Sequence, residues 1–159
     1  EIDFFSAVDD TDQAVEGAGH IGTIEFNSAC YYRYVGLNLD LLKDEHHMAH
    51  FSEEEREAVI QVLLKSALLA VPSARKNSMF GFNPPAHVLG LKREGQPLSL
   101  INAFEKPIVS SRGYVEESYR AMKEHWQKLS VTYGLETCVE VEMPSVAIGD
   151  LVSTLTKEC

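Results

Sequence analysis

Residues 52–72 read Ser-Glu-Glu-Glu-Arg-Glu-Ala-Val-Ile-Gln-Val-Leu-Leu-Lys-Ser-Ala-Leu-Leu-Ala-Val-Pro, a helix with both ends marked. Ser52 and Glu55 have the capping-box spacing: the hydroxyl can accept from the amide three residues on, and the carboxylate can reach back. Glu53, Glu54 and Glu55 suit the positive end of the helix dipole. Ala58, Val59, Val62, Leu63, Ser66, Ala67 and Leu69 recur at helical spacing and mark an apolar face. Pro72 stops the helix.

Working outward from this helix sets the fold class. Upstream, residues 21–39 (IGTIEFNSACYYRYVGLNL) are rich in β-branched and aromatic residues. Ile24, Phe26, Ser28, Cys30, Tyr32 and Tyr34 alternate onto one face, which predicts one long strand. Residues 40–51 read as a polar connector. Residues 1–20 combine a short apolar start, Ile2-Asp3-Phe4-Phe5, with an acidic, glycine-containing segment ending at His20. Downstream, Ala86 to Lys92 reads as a strand, and Arg93-Glu94-Gly95-Gln96-Pro97 as a turn. Leu98 to Phe104 is expected to return as a second strand of a hairpin. A second amphipathic helix is expected over 114–133, with Val115, Tyr119, Met122, Trp126 and Leu129 near one face and Gly134 as its stop. Cys138 to Val141 alternates as a short strand, and the tail after Pro144 carries a final amphipathic turn. Strand, helix, strand, strand, helix, strand is an α+β, ferredoxin-like order, shared by RNA-recognition domains.

The chain has 159 residues, one domain-sized unit, with 45% hydrophobic and 24% charged residues. These are ordinary globular values. No apolar run reaches the length of a membrane span, and the start lacks a signal-peptide pattern, so no membrane partner is expected. Cys30, Cys138 and Cys159 are an odd number at long spacings, which predicts incidental thiols in a reducing cytoplasm. The formal net charge is -10. It is unevenly spread: residues 1–32 hold seven acids and no Lys or Arg. Such a balance argues against a free-standing nucleic-acid binder, though not against part of one. The first residue is not Met, which fits a piece of something longer.

Against this acidity, residues 73–85 (SARKNSMFGFNPP) set Arg75 and Lys76 beside small hydrogen-bonding residues and the aromatics Phe80 and Phe82. Cations with donors hold a phosphate backbone, and aromatic faces stack on bases. A plain surface loop is the competing reading. Lys106 and Arg112 form a second basic loop before the second helix. His46, His47 and His50 cluster beside Asp44 and Glu45, but in a polar connector that reads better as a solvated loop than as a metal site. Asp9, Asp10 and Asp12 lack the glycine and terminal Glu of a calcium loop. No nucleophile elbow, phosphate loop or dinucleotide-binding loop is present, so neither catalysis nor a cofactor is expected.

Ile2 to Asp10, Gly19-His20-Ile21-Gly22-Thr23, Glu25-Phe26, Tyr32-Arg33-Tyr34 and Asn38-Leu39 resemble the CasC backbone subunit family of the type I-E CRISPR Cascade complex. The resemblance continues, in order, through Val71-Pro72, Phe82-Asn83-Pro84, Pro97-Leu98-Ser99 and Asn102-Ala103-Phe104-Glu105-Lys106, and more weakly through Trp126 and Tyr133-Gly134-Leu135. Family proteins are about twice this length, and the chain resembles their C-terminal half. The resemblance implies part of a larger RNA-recognition-like palm with a projecting thumb. On this reading residues 1–22 are the thumb loop, 23–144 the palm half and 145–159 a C-terminal tail.

The family role implied is non-enzymatic. Copies stack as a helical filament along the CRISPR guide RNA, beside other Cascade subunits, and thumbs kink the guide at intervals so that its bases pair with target DNA. Carried onto this sequence, Phe4 and Phe5 form the apolar wedge. His20 and Gly22 return the thumb to the sheet. Ser73, Arg75, Lys76 and Asn77 contact the RNA backbone, with Lys106 and Arg112 as further contacts. Pro107 to Ser111 stand where relatives carry more lysines. The alternative function is a protein-interaction module that never touches RNA, favoured by the acidic charge; a hydrolase using His20 or the histidine cluster is a weaker third.

Overall fold

The computed structural model describes residues 2–7, 20–25, 28–71 and 81–157. It divides into two compact units, Glu1–Tyr31 and Tyr32–Cys159. In the first, strands β1 (Ile2–Ala7) and β2 (His20–Glu25) pair antiparallel, from Ile2 opposite Glu25 to Ala7 opposite His20.

β2 is much shorter than the expected strand over 21–39. The ladder ends at Glu25, where the partner begins at Ile2, so further residues have no strand to pair with. Residues 28–38 carry no regular structure. Those from Tyr32 onward are anchored by side chains. The Tyr32 hydroxyl accepts from Leu100 N at 3.0 Å, its ring lies 5.2 Å from Phe104, and Arg33 donates to Ala67 O at 2.7 Å.

The second unit is built around a two-stranded antiparallel ribbon. After a single turn of helix, α1 (Leu39–Leu42), comes α2 (Glu53–Leu69), capped as the sequence dictates. Ser52 Oγ accepts from Glu55 N at 3.2 Å, and Glu55 Oε2 accepts from Ser52 N at 2.8 Å. Strand β3 (Val88–Lys92) pairs with β4 (Val139–Met143), Gly90 facing Val141. Between them lie a short 3-10 helix (Ile101–Phe104) and α3 (Val115–Tyr133), which ends on Gly134 with φ 60°. Helix α4 (Ile148–Thr156) closes the unit.

The hairpin expected within 86–104 is therefore replaced by a pairing across the whole of α3. Leu98–Phe104 is not a strand. The Leu100 amide is taken by Tyr32, and Ser99 Oγ accepts from Ile101 N, so neither amide is offered to a ladder. The α+β class holds. The described strands, however, form two separate two-stranded sheets, not a single split four-stranded one.

Period-2 alternation divides the ribbon. Val88, Gly90 and Lys92 share a face with Met143, Val141 and Val139, and α4 packs there. Gly90 is required at this contact: a Cβ would stand 2.8 Å from Leu155 Cδ1 and 3.1 Å from Val141 Cγ1. Leu151 and Val152 of α4 are buried, as is Ile60 of α2, which packs on α4. Trp126 and Leu100 are the other buried apolar side chains among the described residues.

Two expectations need correction. The outward-lying residues of α2 include Val59, Val62 and Leu63, the face the sequence marked as apolar; the buried position is Ile60. Cys30 is a free, exposed thiol, but Cys138 is disulfide-bonded, so incidental thiols do not describe both.

Candidate nucleic-acid interface

The hairpin of the first unit carries three of the residues read as RNA contacts. Phe4 stands opposite Thr23, Phe5 opposite Gly22, and His20 opposite Ala7. Successive positions of a strand alternate between faces, so Phe4 and Phe5 occupy different faces of the ribbon. The register places the two residues next to each other on β1, at positions paired with Thr23 and Gly22.

Ser73, Arg75, Lys76 and Asn77 lie outside the described residues, as do the acidic triplet Asp9, Asp10, Asp12 and the aromatic Phe80. Phe82, read from the sequence as an exposed aromatic, is 64% exposed. Lys106 and Arg112 sit in the second unit, on the loop from the 3-10 helix into α3. Both are exposed and neither makes an ion pair among the described residues. Arg112 N donates to Ser110 Oγ at 3.1 Å, and Gly113 turns the chain with φ 106°, a conformation that favours glycine. Tyr114, which the sequence reading passed over, ends this loop half-exposed. Two exposed cations and an exposed ring along one loop are residue types that can meet a phosphate and stack on a base.

The structure also contains a polar network that the sequence did not announce. On the ribbon face opposite α4, Glu140 and Glu142 meet donors from α3. Tyr119 Oη donates to Glu142 Oε2, and Lys123 Nζ donates to the same oxygen at 2.7 Å. Trp126 Nε1 donates to Glu140 Oε2 at 3.0 Å. The hydrogen bond from Lys123, then that from Tyr119, holds the Glu142 carboxyl below the usual range. Burial, then the neighbouring Glu142, pushes the Tyr119 phenol well above its ordinary value. His87 stacks on Tyr119 at 4.2 Å, and its Nε2 lies 3.0 Å from Glu116 Oε1. These groups fasten α3 across the ribbon, and both carboxylates are already engaged. Alternation in Cys138-Val139-Glu140-Val141 predicted a strand here, which the structure extends to Met143; nothing local said which donors would meet its acids.

His46 and His47 are exposed beside Glu45 and Asp44. Among the described residues no three His, Cys, Asp or Glu side chains converge on a point that could hold a metal. Nor does any helix among them have the length and apolarity to cross a membrane.

A family model described as CT1975-like protein matches residues 1–152. No curated protein matches the chain. Among solved structures, a chain of a CRISPR RNA-guided surveillance complex superposes with a TM-score of 0.77 at 21% identity, covering 98% of this chain and 64% of that one. A chain of a CRISPR RNA-guided surveillance complex, pre-nicking, superposes with a TM-score of 0.67 at 27% identity, covering 86% of this chain and 36% of that one. The chain thus spans less than two thirds of either.

Proposed function

This chain belongs to the CT1975-like protein family, and from that premise we propose that it is a non-catalytic backbone subunit of a CRISPR surveillance complex, of type I-E, acting on guide RNA in the cytoplasm. The observation that carries the reading is the family match over residues 1–152, with the superposition on surveillance-complex chains in support. Residues 1–22 act as the thumb, 23–144 as part of an RNA-recognition-like palm, and 145–159 as the tail. Copies assemble along the guide with other Cascade subunits. Phe5, with Phe4, displaces a nucleotide from the stack, and His20 sits at the return of the thumb. Ser73, Arg75, Lys76, Asn77, Lys106 and Arg112 hold phosphates. The guide is gripped by charge and shape, and its free bases read target DNA by pairing.

A wedge needs no charge of its own, so an acidic hairpin is compatible with this role. Filter binding to a guide RNA across a salt series tests it. Removing two phosphate contacts with Arg75→Ala and Lys76→Ala should weaken binding and lower the slope of log K against log salt by about 1.4, at roughly 0.7 per contact for a single strand. Binding indifferent to salt, or unaltered in the double variant, counts against it. The net charge of -10 favours a second reading, an interaction module that never meets RNA. In that case guide RNA adds nothing to the melting temperature, whereas a ligand of the folded state must raise it.

A further inference from the structure

The outward half of α2 is polarised from end to end. At its head Glu53 and Glu54 are exposed and make no ion pair among the described residues. Toward its tail Lys65 is exposed and makes none either, and Arg33 brings a guanidinium to Ala67 O at 2.7 Å. Between these ends Ala58, Val59, Val62, Leu63 and Ser66 are all exposed, Val62 by 66%. Glu54 and Lys65 are separated by about three turns, so they lie on one flank of this apolar stripe.

Shape follows the same polarity. Just ahead of the helix stands Phe51, 43% exposed. At the tail Lys65, Ser66, Leu69 and Ala70 line an open recess of about 410 Å³. One end offers a ring and negative charge; the other offers a hollow and positive charge.

An occupant of this face must therefore present a cation and a hollow to the head, and an acid and a knob to the tail. A second copy turned end for end presents all four. We infer that α2 packs antiparallel on α2 of a second copy about a two-fold axis, with Val59 of each copy against the partner's Val62. Such an axis is isologous and keeps equivalent flanks on the same side. Glu54 then reaches the partner's Lys65, and Phe51 faces the recess beside the partner's Leu69 and Ala70. Parallel packing would set acid against acid and ring against ring. The net charge of -10 on each copy does not prevent the contact, because charges more than about 8 Å apart are largely screened at physiological salt, whereas the Glu54–Lys65 pairs meet directly. A two-fold contact closes at two copies and needs no RNA, which separates it from the stacking of copies along a guide proposed above.

Light scattering on the full chain without RNA, eluted over a concentration series, tests this. The mass should rise with concentration to that of two copies and stop there. Val62→Asn with Leu63→Asn should weaken the pair about tenfold, and Phe51→Ser should do likewise. Val131→Asn, at an exposed apolar position on α3, should leave it unchanged. Glu54→Lys and Lys65→Glu should each weaken it about threefold. An equimolar mixture of those two variants should recover the pair, since every contact across the axis then joins opposite charges. The replaced side chains are exposed, and circular dichroism of each variant checks that the fold is kept. A chain that stays monomeric, a mixture that recovers nothing, equal loss in Val131→Asn, or growth past two copies overturns the inference. Because RNA is absent throughout, failure here leaves the guide-binding reading untouched.

Discussion

Gly90 shows most directly how one position governs packing. Helix α4 approaches the ribbon so closely that a methyl group there would strike Leu155 and Val141. Gly90→Ala should therefore destabilise the second unit by about 1–3 kcal/mol, the usual range for overpacking. Adding Leu155→Ala should recover part of that loss in urea melts; a neutral Gly90→Ala would mean that α4 is not seated there. Glu142 makes a pH prediction. Its folded pKa is depressed by Lys123 and Tyr119, so its contribution is present above the unfolded carboxylate range and is lost as pH falls through the folded value. Glu142→Gln should flatten the acid limb of a denaturation-midpoint-against-pH curve. Tyr119 is shifted the other way: its contribution is full below pH 10 and is lost as pH rises above that, because the unfolded phenol ionises first. The phenylalanine variant should lose this alkaline decline.

Among the elements, helices were legible where their ends are chemically marked. The Ser52–Glu55 box sits where the spacing placed it, and Gly134 takes the left-handed conformation at the end of α3. Ser52→Ala should cost about 1 kcal/mol in thermal melts, since it leaves one amide of the first turn without its acceptor. Which side of α2 is buried was not legible, because both sides are apolar and a period alone cannot rank them. The strands fared worse for a related reason. The strands expected over 86–92 and 138–141 were found at Val88–Lys92 and Val139–Met143, but pairing is a long-range choice. β3 crosses past α3 to reach β4, and no turn signal near Pro97 could announce that. The Tyr32–Leu100 bond, which withdraws an amide from any ladder, joins residues 68 apart in sequence.

For the whole chain, the family was readable in the ordered residues from Ile2 to Leu135, and the match over 1–152 bears that out. The candidate contacts were readable only as residue types. Lys106 and Arg112 are exposed on one loop, and Phe4, Phe5 and His20 share one hairpin, but register, not composition, separates the two aromatics. The division into two units has its own test. Residues 28–31 are exposed without regular structure, Tyr31 by 77%. Limited chymotrypsin digestion should cut first after Tyr31 and leave a fragment with the helical circular dichroism of the second unit. Loss of that signal on the same cut would show that the units do not hold separately.

Trp126 is the only tryptophan of the chain, and it is held 3% exposed with its indole hydrogen bonded to Glu140. The molecule consequently carries an unlabelled optical gauge at the seam between α3 and β4. Its emission will be blue while that seam is closed, and will drift red the moment water reaches the indole, whatever happens in the other unit.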